Sequence, residues 1–318
     1  KKGVAFKKGH VVTEEDIPEL LNLGKDHLYV WEKDENMLHE DEAAAILRDV
    51  CMGRNMHPSL PSEGKIELTA DCDGLLVIDS ARLLAVNSIP DVMIAARHGM
   101  TPVKKGDKLA GTRVIPLVIG KDVMQRVREA AGDAPLMDVL PFRPLRCGIV
   151  TTGSEVFYGR ITDTFTPVVE QKVAEYGMTV IGYERCPDDR ETIIAAIHRL
   201  RDMGAELILT TGGMSVDPDD RTPAAIRDSG ARVVTYGAPV LPGAMMLIGY
   251  LPGNDGGEIP VLGLPGCVMY AKRTIFDLML CRVAAGVRIT REDVVRLGEG
   301  GLCLNCEVCT YPNCGFGK

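Results

Sequence analysis

Residues 207–220 read LILTTGGMSVDPDD, and residues 148–155 read GIVTTGSE. In both stretches a short apolar run leads directly into Thr-Thr-Gly. Runs of this length that end at glycine are typical of buried strands followed by a turn. Between them, RETIIAAIHRLRDMG has helical spacing, with Ile193, Ile197 and Leu200 on one face. The pattern predicts a strand, a helix and a second strand in succession.

The same alternation extends on both sides of these stretches. TPVVEQKVAEYG is a predicted helix, MTVIGY a strand, the segment opened by Thr222-Pro223 a helix, and RVVTYG a strand. Continuously apolar strands that alternate with amphipathic helices indicate a mostly parallel sheet covered on both faces. We therefore expect a three-layer α/β domain over residues 146–290.

The chain upstream of this domain has a different texture. Residues 1–35 predict a small αβ segment, with a helix that Thr13 caps and Gly24 ends, then a strand from His27 to Trp31. Residues 36–145 predict a β-rich accessory domain of short β-branched runs, with helices near 41–52 and 120–131. The proline-rich stretch 132–146 is the expected boundary.

Bulk properties exclude several classes of function. The length of 318 residues suggests two or three domains. The net charge of −8, without a dense basic run, argues against nucleic acid or an anionic membrane as the main partner. No apolar stretch approaches the ~20 residues that span a bilayer. Six of the ten cysteines are scattered, which favours a reducing cytosol over a disulfide framework.

The paired turns, residues 151–153 and 210–212, are the expected ligand site. Open α/β sheets bind ligands beyond the carboxyl ends of their strands. Glycine turns there let backbone amides converge on a phosphate, and threonine hydroxyls add donors; ordinary turn chemistry is the alternative. The candidate binding residues are Thr152, Gly153, Ser154, Thr211, Gly212, Gly213 and Ser215.

Acidic residues follow each turn. Glu155 and Asp163 come after the first, and Asp217, Asp219 and Asp220 after the second. Carboxylates beside phosphates commonly act through Mg²⁺. Helix capping is the alternative, because the segment from Asp220 to Pro223 is also a good helix start. Glu155, Asp163 and Asp220 are the candidate catalytic residues.

Four motifs extend this pattern: TTGSEVFYGRITD, ILTTGGMSVDPDDRTP, VLPGAMMLIGY and VLGLPGCVMYAKRTIFDL. In this order they resemble the molybdopterin-binding domain of the molybdopterin molybdenumtransferases and the gephyrin E-domain, over about residues 146–286. The resemblance implies a bound molybdopterin or adenylated molybdopterin, molybdate insertion with Mg²⁺, and a homo-oligomer. It also implies that Asp220 is the functional aspartate of the second turn. Two Pro-Gly loops that line the pocket match Pro242-Gly243 and Pro265-Gly266.

Two departures from the family pattern bear on activity. The family loop of Lys-Pro-Gly-Lys-Pro type reads Leu-Pro-Gly-Ala-Met here, from Leu241 to Met245, and the second loop continues with Cys267 in place of Asn. Each lost charge-assisted contact to an oxyanion is worth about 1.5–3 kcal/mol. Lys272 and Arg273 are candidate replacements; a solvated helix end is the alternative.

The last residues, CLNCEVCTYPNCGFGK, crowd four cysteines into one segment. The spacing C-x₂-C-x₂-C-x₄-C suits a [4Fe–4S] cluster or tetrahedral Zn²⁺. A flexible redox-active tail is the alternative. The candidate metal ligands in this tail, residues 291–318, are Cys303, Cys306, Cys309 and Cys314.

Together these features predict a cytoplasmic protein of molybdenum cofactor biosynthesis that acts as a molybdate-inserting transferase. One alternative is a non-catalytic molybdopterin carrier or sensor, which the missing loop lysines favour. A second is a nucleotide-site hydrolase similar to the competence-damage proteins. Expected partners are the pterin ligand and other cofactor-biosynthesis proteins or molybdoenzymes.

Overall fold

The computed structural model describes residue 6 and residues 10–27, 34–214 and 221–318. A single turn of 3₁₀ helix, Glu14–Asp16, leads into α1 (Ile17–Asn22). Thr13 is the N-cap residue of the 3₁₀ turn, as the sequence predicts. The predicted strand from His27 to Trp31 lies outside the described residues beyond His27.

The accessory region contains three antiparallel sheets and three helices. Its strands are β1 (Met37–His39), β2 (Met56–Pro58), β3 (Lys65–Ala70), β4 (Gly74–Ile78), β5 (Val92–Ala96), β6 (Thr101–Val103), β7 (Lys108–Val114), β8 (Val118–Gly120) and β9 (Met137–Pro141). Its helices are α2 (Glu40–Cys51), α3 (Ser80–Asn87) and α4 (Lys121–Ala131). The strand orders are β1-β8, β2-β3-β7-β5 and β6-β4-β9.

Helices α2 and α4 lie within one residue of their predicted positions, whereas two elements were not anticipated. Helix α3 lies inside the region predicted to be β-rich, and Asp79 caps it by accepting a hydrogen bond from the amide of Arg82. Strand β9 lies inside the predicted boundary stretch and pairs with β4. It forms because Met137 and Val139 alternate into the accessory core, where both are buried.

The α/β domain contains a six-stranded sheet. Its elements are β10 (Arg146–Thr152), α5 (Ser154–Phe157), α6 (Phe165–Ala174), β11 (Thr179–Cys186), α7 (Arg190–Asp202), β12 (Leu207–Thr211), α8 (Thr222–Asp228), β13 (Arg232–Tyr236), β14 (Leu247–Pro252), β15 (Glu258–Leu264) and α9 (Ile275–Ala284). The strand order is β11-β10-β12-β15-β14-β13. The first four strands are mutually parallel, and β14 pairs in the antiparallel sense with both β15 and β13, so the predicted mostly parallel sheet is confirmed.

Helices cover both faces of this sheet. Along β10, Ile149 packs into a core shared with α6 and α9, while Val150 packs into a second core shared with α7 and α8. Adjacent residues of a strand point to opposite faces, so a continuously apolar strand needs both covers. The three-layer prediction is therefore confirmed.

The C-terminal residues pack against the α/β domain. After α10 (Arg291–Val295), the chain passes through a 3₁₀ turn, Arg296–Gly298. Val294, Leu297 and Phe316 are buried in the same core as α9. The segment is thus anchored at both ends, which fixes where its cysteines lie.

Candidate functional site

The paired turns lie side by side at the carboxyl edge of the sheet. Strands β10 and β12 are hydrogen-bonded neighbours, with Thr151 opposite Thr211. The hydroxyl of Thr152 donates to the carbonyl oxygen of Thr211 at 3.1 Å and lies 3.1 Å from the hydroxyl of Thr222. Gly212 has φ +85°, and a Cβ there would lie 2.2 Å from the carbonyl oxygen of Thr152. Glycine is therefore required for the close approach of the two turns.

The first turn already binds an anion of the protein itself. The amide of Ser154 donates to Asp188 Oδ2 at 2.9 Å, and the amide of Asp188 faces the Ser154 hydroxyl at 3.4 Å. The Asp188 carboxylate occupies one of the amides that the sequence offers to a phosphate, so a phosphate must use the remaining donors or displace Asp188.

The second turn contains a polar atom that has no hydrogen-bond partner among the described residues. Thr211 is 1% exposed, and its hydroxyl makes no hydrogen bond within the described part of the chain. A buried hydroxyl left unsatisfied costs about 1–3 kcal/mol, which a bound ligand or water can recover. This hydroxyl is therefore an unused donor beside the turn predicted to bind phosphate.

The predicted catalytic carboxylates are placed differently from one another. Glu155, in α5, is exposed. Asp163 precedes α6, where its Oδ1 accepts from the amides of Phe165 and Thr166, both at 3.0 Å, and its Oδ2 accepts from the Thr166 hydroxyl at 2.6 Å. Burial alone would raise the pKa of Asp163, but these hydrogen bonds outweigh it and hold the pKa below its ordinary value. Asp163 thus stabilises the start of α6.

The remaining residues of the second turn cannot be placed in the same way. Ser215, Asp217, Asp219 and Asp220 lie outside the described residues. Among the residues that are described, no three His, Cys, Asp or Glu side chains meet as a metal site would require. Because Mg²⁺ commonly binds through one or two carboxylates together with phosphate oxygens, the magnesium assignment stays a prediction.

Both Pro-Gly loops also lie at the carboxyl edge. Pro265 and Gly266 follow the end of β15, and the segment with Pro242 and Gly243 precedes β14, whose Leu247 pairs with Gly263 of β15. The carbonyl oxygen of Pro242 accepts from the amide of Ile275 at 3.2 Å. The first loop is therefore fixed to the start of α9.

A cavity of about 570 Å³ opens beside these loops. Pro242 is the one predicted pterin-binding residue, among those described, that lines it. Five thiols line it as well, namely those of Cys267, Cys303, Cys306, Cys309 and Cys314. We call this space the cysteine cavity. The sequence predicted the four tail cysteines as a group, but it did not bring Cys267 to them.

The two candidate replacement cations have partners within the protein. The Lys272 ammonium donates to the carbonyl oxygens of Cys306 at 3.1 Å and Glu307 at 2.6 Å, so it secures the tail. Arg273 donates to Glu175 and Asp277, each at 2.8 Å. Neither is a freely solvated helix end, and each already uses part of its donor capacity.

A buried ion pair supports this corner of the domain. The Lys172 ammonium lies 2.6 Å from Asp277 Oδ1, with side chains only 8% and 2% exposed. Lys172 also donates to the carbonyl oxygen of Lys272 at 3.2 Å. The amide of Thr274 donates to Asp277 Oδ2 at 2.7 Å, which caps α9. Asp277 therefore joins the start of α9 to the cavity rim.

Part of the chain is similar to solved structures of cofactor-synthesis proteins. The tungsten cofactor synthesizing protein MoaB from Pyrococcus furiosus is 18% identical and covers 44% of this chain and 88% of its own, with a TM-score of 0.35. MoaB from Thermus thermophilus is 23% identical and covers 45% of this chain and 97% of its own, with a TM-score of 0.34.

Curated relatives match different lengths of the chain. A molybdopterin molybdenumtransferase from Synechococcus elongatus is 25% identical over 242 residues, which cover 71% of this chain and 58% of the relative. A CinA-like protein from Mycobacterium avium is 38% identical over 77 residues, which cover 24% of this chain and 18% of the relative. The chain thus spans less than two thirds of the length of these relatives.

Family models match two parts of the chain. Residues 1–32 match a domain of unknown function. Residues 148–285 match a family described as "Probable molybdopterin binding domain", which coincides with the sheet from β10 to α9 and contains the paired turns and both Pro-Gly loops. Residues 148–285 of the chain are therefore similar to the molybdopterin-binding domain of molybdenum cofactor biosynthesis proteins.

Proposed function

We propose that this protein binds molybdopterin, or its adenylated form, at the carboxyl edge of the six-stranded sheet and acts in molybdenum cofactor biosynthesis. The observation that carries the proposal is the pairing of the two turns within the matched domain, through the hydrogen bond from Thr152 to Thr211. Adjacent glycine turns at parallel strand ends are where such sheets bind phosphorylated ligands.

The proposal gives the described residues binding roles. Thr211 offers a hydroxyl that has no partner in the described part of the chain, and the second turn offers the amides of Gly212 and Gly213 to the ligand phosphate. Thr152 holds the two turns at one separation. The mixed apolar and thiol surface around Pro242 suits the less polar part of a ligand better than its phosphate.

We further propose that the protein inserts molybdate, as the resemblance to molybdenumtransferases implies. Asp220, which lies outside the described residues, and exposed Glu155 are the proposed catalytic carboxylates. Magnesium would supply positive charge next to phosphate oxygens. Since Asp163 caps α6, its proposed contribution is to position the start of that helix. Because the loop lysines are missing, a carrier without transfer activity is the competing proposal.

The binding test uses Thr211→Val, because valine has nearly the same shape and removes only the unpaired hydroxyl. Loss of one hydrogen bond of about 0.5–1.5 kcal/mol should weaken pterin binding about 2- to 12-fold, measured by fluorescence titration. The free protein should be no less stable than wild type. Thr112→Val is the control, since its buried hydroxyl bonds to Ile66 in the accessory region. Equal pterin affinity for wild type and Thr211→Val would exclude the proposed phosphate contact.

The transfer test mixes the protein with adenylated molybdopterin, molybdate and Mg²⁺ and measures reconstitution of an apo-molybdoenzyme. Wild type should give active cofactor, while Asp220→Ala should bind pterin but give none. Tight pterin binding without transfer by wild type would establish the carrier instead. The proposal places these steps in a reducing cytosol, which the ten free thiols support. Sedimentation with and without pterin tests whether the protein forms the expected homo-oligomer. The same measurement with a partner added tests whether it forms complexes with other cofactor-biosynthesis proteins or molybdoenzymes.

One observation favours a second candidate function. The identity to the CinA-like protein, 38% over 77 residues, exceeds the 25% to the molybdenumtransferase, although the matched segment is much shorter. This supports a nucleotide-site hydrolase as the alternative. Incubation with nucleoside diphosphate compounds distinguishes the two, because a hydrolase would cleave the pyrophosphate without needing molybdate.

A further inference from the structure

The cysteine cavity is formed by parts of the chain that are distant in sequence. Cys267 comes from the 3₁₀ turn after β15, Gly266–Met269, and the other four thiols come from the tail. None of the five is in a disulfide. Thiols held close together oxidise readily unless a ligand binds them. We therefore expect the cavity to bind a ligand through these thiols.

The tail is held in place at both ends. The amide of Leu241 donates to the carbonyl oxygen of Gly301, and the amide of Cys303 donates to the carbonyl oxygen of Leu241, both at 2.8 Å. At the other end Phe316 is buried, and the guanidinium of Arg273 lies 5.1 Å from the ring centre of Tyr311. Between these ends the tail lines the cavity with thiols, of which Cys303 and Cys314 also pack against the core while Cys306 and Cys309 are exposed.

The spacing of the tail cysteines favours an iron–sulfur cluster. The described residues contain no group of three ligands placed to hold a single metal ion, while all four tail cysteines line one cavity. Each thiolate of a cubane cluster binds a different iron, and the three-cysteine spacing C-x₂-C-x₂-C is that of cluster ligands.

The surroundings suit an anionic cluster. Lys272 and Arg273 both line the cavity, and Lys272 donates to two carbonyl oxygens between the second and third tail cysteines. Nearby cations and apolar walls stabilise a cluster and tune its potential. Cys267 lies outside the tail motif, on the 3₁₀ turn after β15.

We propose that the cysteine cavity holds a [4Fe–4S] cluster ligated by Cys303, Cys306, Cys309 and Cys314, with Cys267 beside it as a non-ligand thiol. The cluster occupies the space next to Pro242, at the same edge of the sheet as the paired turns. The proposal does not depend on pterin binding, because no residue of the paired turns takes part.

The test is anaerobic purification of the full chain, reconstitution with ferrous iron and sulfide, and analysis of iron, sulfide and zinc. Wild type should carry about four irons and four sulfides per chain, with a broad visible absorption and a paramagnetic signal after reduction. One zinc ion in place of iron, or no bound metal, would overturn the proposal.

Variants identify the ligands. Cys306 and Cys309 are exposed, so their replacement by serine should leave the fold unchanged while the cluster is lost. Cys267→Ser is the matched control, because it lies in the same cavity and should keep the iron. Iron retained by both Cys306→Ser and Cys309→Ser, with unchanged circular dichroism, would refute the ligand assignment. Pterin titration of Cys306→Ser separates this result from the proposed function, since pterin affinity should be retained.

Discussion

Removing the carboxylate of Asp277 should destabilise the α/β domain more than any change at an exposed ion pair. Asp277 is 1% exposed and accepts hydrogen bonds from Lys172 at 2.6 Å, Arg273 at 2.8 Å and the Thr274 amide at 2.7 Å. In Asp277→Ala the buried Lys172 ammonium keeps only the carbonyl oxygen of Lys272. Breaking a buried pair by removing one partner costs about 3–5 kcal/mol.

The assay is thermal unfolding followed by circular dichroism. At about 2–4 °C per kcal/mol, the loss corresponds to a Tm lower by roughly 6–20 °C. Glu292→Ala is the control, because its ion pair with Arg296 is 69% and 75% exposed and should contribute less than about 1 kcal/mol. The double variant Lys172→Met with Asp277→Leu should recover part of the loss, since the Lys172 ammonium is then no longer buried without its partner. A Tm for Asp277→Ala equal to that of Glu292→Ala would refute the reasoning.

Two further predictions concern the turns and the start of α6. Gly212→Ala should lower Tm and pterin affinity, because its Cβ would meet the carbonyl oxygen of Thr152. Gly256→Ala is the control, since Gly256 has a similar φ of +83° but open space around it. Its free energy of unfolding should fall only by the cost of a left-handed backbone conformation, about 1–2 kcal/mol. The folded pKa of Asp163 lies below its ordinary 3.8, so its stabilisation is present above pH 3.8 and lost as the pH falls through the lower value. Acid titration of Asp163→Asn should therefore show a weaker loss of stability there than wild type.

The fold of the α/β domain could be predicted largely because its signals are local. The apolar faces of α7, with Ile193, Ile197 and Leu200 all fully buried, follow directly from helical spacing. The glycine turns after β10 and β12 follow from sequence in the same way. Strand order does not, because β15 enters the sheet beside β12 and then pairs with β14 in the antiparallel sense. That choice depends on packing between segments about fifty residues apart.

The accessory region was harder to predict for a related reason. Helix α3 has an apolar sequence between two predicted strands, and its one fully buried residue, Val86, gives little helical pattern. Strand β9 sits in a proline-rich stretch that resembles a linker when read alone. Its pairing with β4 joins residues about 60 to 67 positions apart, from Ile78 with Met137 to Gly74 with Pro141, so nothing in the local sequence indicates it.

At the site, sequence reasoning identified the correct residue types but missed contacts across the chain. The bond from Ser154 to Asp188 joins residues 34 positions apart, and Lys272 reaches carbonyl oxygens 34 and 35 positions away. The sequence contained one indication that Cys267 lies near the tail cysteines, because Cys267 stands where the resembling family carries Asn. Sequence alone places Cys267 among the scattered cysteines, since only the fold shows that the tail returns to this loop.

The two departures from the family pattern meet at one place in the structure. The loop that lacks lysines, around Pro242, and the loop that carries Cys267 both border the cysteine cavity. Lys272 and Arg273 bring two cations to the same cavity, and each has hydrogen-bond partners within the protein. In the proposed assignments, the cavity side of this edge holds a sulfur-bound cluster without the loop lysines, while the paired turns keep their donors for phosphate.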